Sequence, residues 1–159
     1  MDTVSKLSLV FLLIGVIGLK SCSSTKSNSA YYTYETECIG SNLNGTQTVK
    51  AWGKGLDKKT ALENAKKNAL NEIIFKGLYK GGRDCQKKPI ISEVNAKVKY
   101  DYYFDRFFSK IYSGFVSISK KGKLETSKYE QGYLTAVILS IQIADLKQQL
   151  FDDNIIKQP

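Results

Sequence analysis

The chain has no histidine, two arginines (Arg83 and Arg106), two prolines and one tryptophan among 159 residues. Without imidazole, the commonest general base and metal ligand is missing, and serine or cysteine triads built on it are excluded. Three cysteines, Cys22, Cys38 and Cys85, include no CxxC pair. Cys38 and Cys85 therefore offer a structural zinc site at most two thiolates. The lack of arginine argues against nucleic acid as a partner, because base recognition relies on its bidentate geometry. Long hydrophobic runs are also scarce. The longest, Leu7 to Leu19 (LSLVFLLIGVIGL), has 13 residues, whereas a membrane-spanning helix needs about 20.

That run follows one cation, Lys6, and ends at Leu19-Lys20-Ser21-Cys22, the layout of a secretion signal. A cysteine just past the apolar core, with Leu19 three residues before it and small Ser21 beside it, resembles a bacterial lipobox. The resemblance implies that residues 1–21 are a signal peptide, that Cys22 is acylated, and that the chain is cut before it. Lys20 departs from the commonest pattern, although lipoproteins of Bacteroidota resemble this chain in tolerating such a residue. An uncleaved anchor helix is the alternative. More than one acyl chain makes the attachment stable. No aspartate follows the cysteine, and SSTKSNSA has no acidic cluster. By analogy these features imply the outer membrane, on its periplasmic side. Residues 22–30 then read as a polar tether.

What remains is enough for one domain with a real core. It is organised around Gln47 to Leu78. Val49, Ala51, Gly53 and Gly55 alternate with Lys50, Trp52 and Lys54, which predicts a strand with one covered face of small side chains. Asp57 can cap a following helix in which Ala61, Ala65, Ala69, Ile73 and Gly77 recur every fourth residue, flanked by Leu62, Leu70, Ile74 and Leu78. A seam of small residues on the helix thus faces a strand of small residues. This predicts an α+β domain over residues 31–151: a mostly antiparallel sheet of four or five strands, one long helix, and one or two short helices packed on it.

The other strands are expected at Tyr31 to Glu37, Ile90 to Tyr100, Tyr112 to Ser119 and Tyr133 to Ile143, the last apolar on both faces and central in the sheet. The Asn44-Gly45 step predicts a turn before the organising strand. Asp101 is expected to cap a short helix bearing Phe104, Phe107, Phe108 and Ile111, an aromatic stripe that reads as core. Leu124 to Gln131 reads as a polar connection, Ala144 to Phe151 as a closing helix, and residues 152–159 as a frayed tail. In an oxidising envelope an isolated cysteine pair predicts a Cys38–Cys85 disulfide; two free thiols are the alternative.

The motifs VKAWGKG, ALENAKKNAL and YLTAVILSIQIADL resemble the amino-terminal domain of FlgT, the flagellar outer-membrane ring protein, and the related small-lipoprotein superfamily. ETECIGSNLNGTQTVKAWGKG with AKKNAL also resembles lipoproteins of Bacteroidota encoded with type VI secretion machinery and called TssQ. The resemblance implies a scaffold or docking role in an envelope or secretion assembly, with no catalytic residues to carry over.

Candidate chemistry is thin. Asp101 and Asp105 share a helical face and could supply paired carboxylates for glycan cleavage, or be a cap and an ordinary surface charge beside Arg106. Gly53-Lys54-Gly55 lacks the full phosphate-loop pattern. The chain reads as a non-enzyme without a metal or cofactor. Its net charge of +9 is almost entirely lysine. Lys58, Lys59, Lys66, Lys67, Lys76 and Lys80 load the helix region, either as a solvated face or as a surface for anionic lipid, peptidoglycan or an acidic protein. Trp52, between Lys50 and Lys54, points away from the helix. It is either an aromatic anchor with a basic rim, suited to a protein interface, or it is covered by the second helix.

Overall fold

Small side chains at the centre of this fold determine how closely its layers approach. A computed structural model describes residues 34–120 and 122–157; the signal, Cys22, the tether and the last two residues lie outside that range. Strand β2 (Thr46–Gly55) alternates in burial, with Val49, Ala51 and Gly53 fully or nearly fully enclosed. Helix α1 (Lys58–Phe75) lies on that face. It is capped by Asp57, whose carboxylate accepts from the Thr60 backbone N–H at 2.8 Å. Its buried residues Ala61, Ala65, Ala69, Leu70, Ile73 and Ile74 are the expected seam. Gly77 stands past the helix end with φ of +85°, where it ends the helix in a conformation glycine tolerates.

The architecture is α+β, with a mostly antiparallel sheet. Six strands are present among the described residues, in the order β3 (Lys80–Gly81), β1 (Glu37–Ser41), β2, β6 (Gly132–Gln142) and β4 (Val116–Ile118), with β5 (Glu125–Tyr129) also paired to β6. β2 and β6 pair antiparallel along their whole length, from Thr46↔Gln142 to Gly55↔Tyr133. Because β2 fills one edge of β6, β4 and β5 lie end to end along the other, at Val116↔Ile141 and Glu125↔Ala136. The Lys120-Lys121-Gly122-Lys123 run is the insertion between them. Only β3 is parallel to its neighbour.

Several expectations are corrected. The first strand is Glu37–Ser41, later than Tyr31 to Glu37, so the tight turn is confined to residues 42–45. Ile90 to Tyr100 is no strand. The Ile90 and Ile91 N–H groups donate to the Ile73 and Ile74 carbonyls at 3.1 and 2.9 Å, occupying acceptors that the end of α1 leaves open. The chain then turns at Asn95, with φ of 63°, into α2 (Ala96–Lys99). Of the alternating set only Ala96 is buried, while Val94 and Val98 are mostly exposed.

Tyr112 to Gly114 is a 3₁₀ turn, which shortens the expected Tyr112 to Ser119 strand to β4. The expected connection at Leu124 to Gln131 contains β5, a strand without an apolar alternation because it is polar on both faces. β6 alternates too: Thr135, Val137, Leu139 and Ile141 are buried, and Ala136, Ile138 and Ser140 are half-buried. In α3 (Asp101–Arg106) Tyr100 holds the cap position, and Asp101, in the first turn, accepts from the Tyr102 N–H. The end of the chain does not fray through Lys157. After α4 (Ile143–Asp152) it folds back, with Ile155 and Ile156 packed on the core and their N–H groups donating to Leu150 at 2.9 and 3.2 Å.

The described helices pack on one side of the sheet. The core joins Val49, Ala51, Val137, Leu139 and Ile141 of the strands to the α1 seam, Phe104, Phe107, Leu146 and Leu150. The aromatic stripe is therefore core, as expected, with Phe107 fully buried and rings stacked edge-on against Phe108 and Phe104.

Candidate interaction surface

Period-two geometry sends the alternate residues of β2 and β6 to the face the helices leave alone. Pairing sets Lys50 opposite Ile138, Trp52 opposite Ala136 and Lys54 opposite Leu134. None of these six belongs to the hydrophobic core cluster. Trp52 is half-buried, and it lies outside the core that the described helices form with the sheet. Its neighbour is Tyr34, whose ring stacks on it with centroids 5.9 Å apart and planes 29° apart. The ammonium of Lys50 lies 5.3 Å from the Trp52 ring centroid. That of Lys54 lies 6.0 Å from Tyr34 and 5.9 Å from Tyr129 of β5, reaching past the intervening β6. Two tyrosines thus join Lys50, Trp52 and Lys54 on this face. Tyr34 sits in the YYTYETE segment, whose alternation suggested an edge strand rather than a ring partner. Tyr129 was hidden in an apparent loop.

The lysines are not alike. Lys66 bonds Glu63 at 2.8 Å, Lys80 bonds Glu35 at 3.0 Å, and Lys99 bonds Glu93 at 2.7 Å. The Glu93 carboxyl is lowered first by its hydrogen bond from Lys99. Lys67 lies over the Tyr112 ring and Lys58 over that of Tyr133. Lys80 belongs to β3, not to the helix, and Lys76 is at the C-cap of α1. The lysine-rich helix is therefore not one uniform cationic face. Lys50 and Lys54, like Lys58 and Lys67, rest on rings. A ring stabilises an ammonium by about 0.5–1 kcal/mol at exposed sites without neutralising it.

A second feature was not anticipated. β1 ends its pairing with β2 at Glu37↔Lys50, and among the described residues no strand pairs with that edge of β2 beyond Lys50. Side chains of α1 close it. Asn68 Nδ2 donates to the Trp52 carbonyl at 3.0 Å and Asn64 Nδ2 to the Lys54 carbonyl at 2.7 Å. One turn further on, Glu72 Oε2 accepts from the Thr36 N–H at 2.8 Å. Residues 64, 68 and 72 form a polar row stitched to the sheet edge, which fixes the backbone on either side of Trp52.

The sulfurs of Cys38 and Cys85 are 2.08 Å apart, at bonding distance, joining β1 to the loop after β3. Asp105 is exposed, and Asp101 is engaged with the backbone of Tyr102. Gly53 and Gly55 touch the backbone of α1 and leave no room for a phosphate: a Cβ on Gly55 would lie 2.4 Å from the Ala61 nitrogen. No cluster of acids and cysteines with metal-ligand geometry occurs among the described residues, and no helix there is long and apolar enough to cross a membrane. No protein-family model, curated protein or solved structure matches the chain.

Proposed function

We propose that this protein is a non-enzymatic lipoprotein, held at the periplasmic side of the outer membrane by acyl chains on Cys22, that docks onto a larger envelope or secretion assembly. The observation that carries this reading is the sheet face opposite the described helices, where Trp52 and Tyr34 stack beside ring-supported Lys50 and Lys54. Trp and Tyr are among the residues around which protein interfaces concentrate their binding energy. The sequence's likeness to the FlgT amino-terminal domain and to TssQ supports an assembly of that kind, a type VI secretion system among them. A glycan- or lipid-binding role for the lysines of α1 is less well supported, because Lys66 is paired with Glu63, Lys80, on β3, is paired with Glu35, and Lys76 stands at the helix end.

Affinity capture from envelopes tests the reading. Trp52→Ala should lose protein partners, while a Lys58→Glu/Lys59→Glu variant keeps them. If the helix variant loses partners and Trp52→Ala does not, the docking face is wrong. Co-sedimentation of the pure protein with sacculi, abolished by the helix variant, would favour the glycan alternative.

A further inference from the structure

The docking face runs out to a strand edge. β5 pairs with β6 on one side, and among the described residues no strand pairs with its other side. Its backbone N–H and C=O groups there form a row that a further extended chain can satisfy, whereas a glycan or a lipid headgroup cannot reproduce its alternation. The charge beside this edge is net positive: Lys128 lies on the strand and Lys120 and Lys123 stand in the insertion preceding it, against Glu125 and Glu130. Among the described residues none of these three lysines is ion-paired.

We propose, resting on the docking reading, that the edge of β5 accepts an extended, acidic segment of a partner protein as an added strand, with Lys123 and Lys128 meeting its carboxylates. The pairing supplies affinity through the main chain and the lysines supply selectivity for charge.

The test uses the full chain in detergent and fluorescence anisotropy with a short labelled peptide of alternating threonine and glutamate. The expected result is saturable binding, no binding of the threonine–lysine counterpart, and affinity weakened about tenfold or more by Lys123→Glu or Lys128→Glu in variants with unchanged thermal midpoints. Methylating alternate amides of the peptide should abolish binding in one of the two registers and spare the other, because an added strand uses one edge. No binding of the acidic peptide, both registers behaving alike, or indifference to both charge reversals overturns the proposal. So does lysine-dependent binding of phosphatidylglycerol vesicles in preference to the peptide. If Trp52→Ala abolishes envelope capture while the peptide fails to bind, docking stands and strand addition falls.

Discussion

A Cβ on Gly53 would lie 2.2 Å from the carbonyl oxygen of Ala61, and at the same distance from the nitrogen of Ala65. Both are backbone atoms of a long helix, so neither yields as a flexible side chain would. Gly53→Ala should therefore destabilise by about 3 kcal/mol, the upper part of the range for overpacking. Gly40→Ala, where nothing lies within 4 Å of the added carbon, should change stability by less than about 0.5 kcal/mol. Urea unfolding of the two variants measures the difference; equal midpoints would contradict the close approach of α1 to β2.

The asparagine row makes a separate prediction. Asn68→Ala removes the donor to the Trp52 carbonyl and Asn64→Ala the donor to the Lys54 carbonyl. Each should cost about 1 kcal/mol, the usual worth of one such bond. Amide exchange should also rise around residues 52–55 ahead of the rest of β2. Uniform exchange along the strand would mean that the row does not secure this edge.

The alanine seam and the glycine strand were legible because they repeat at four and at two and meet through small side chains. The same reading failed at Ile90 to Tyr100, where alternation is real but the backbone is engaged by the carbonyls of Ile73 and Ile74. It failed again at β5, which has no apolar face and forms because β6 offers a free edge. Lys50, Trp52 and Lys54 were legible as an outward row. Tyr34 and Tyr129 were not, because a contact between rings distant in sequence depends on how the sheet and the segment before it are registered, which no local period encodes.

Tyr112 and Glu63 give the fold a dependence on pH. The Tyr112 hydroxyl donates to the Glu63 carboxylate. Burial, and then that bond, push the tyrosine up to about 12 from 10.0. The folded state therefore holds this proton more tightly than the unfolded state. The stability it contributes is complete below pH 10 and is lost as pH rises from about 10 to about 12. Burial works against the Glu63 charge, but hydrogen bonds from Lys66 and Tyr112 outweigh it and lower the carboxyl from 4.5. That contribution is present above pH 4.5 and disappears as pH falls through the depressed value. Tyr112→Phe should cost about 1–2 kcal/mol at neutral pH and flatten the alkaline loss relative to wild type. Denaturant midpoints across the alkaline range check this, and a variant with the parental slope would refute it.

The Cys38–Cys85 bridge closes a loop with a sequence separation of 47 that contains all of α1. Crosslinking so long a loop restricts the unfolded chain, so Cys38→Ser/Cys85→Ser should lose about 2–4 kcal/mol. Reduction under denaturing conditions should add two hydrogens to the wild-type mass and none to the double variant. The loss should be uneven in space. β3 is only Lys80–Gly81, paired parallel to β1, and Gly82 donates to the Cys38 carbonyl at 2.9 Å. Without the bridge these few bonds hold the segment alone, while β2 and β6 keep their ten-residue ladder from Thr46 to Gly55. Hydrogen exchange on the reduced protein should therefore accelerate first at residues 80–82, with the β2 and β6 amides protected until global unfolding. Exchange that accelerates equally in β3 and β6 would show that the bridge supports the whole sheet rather than its edge.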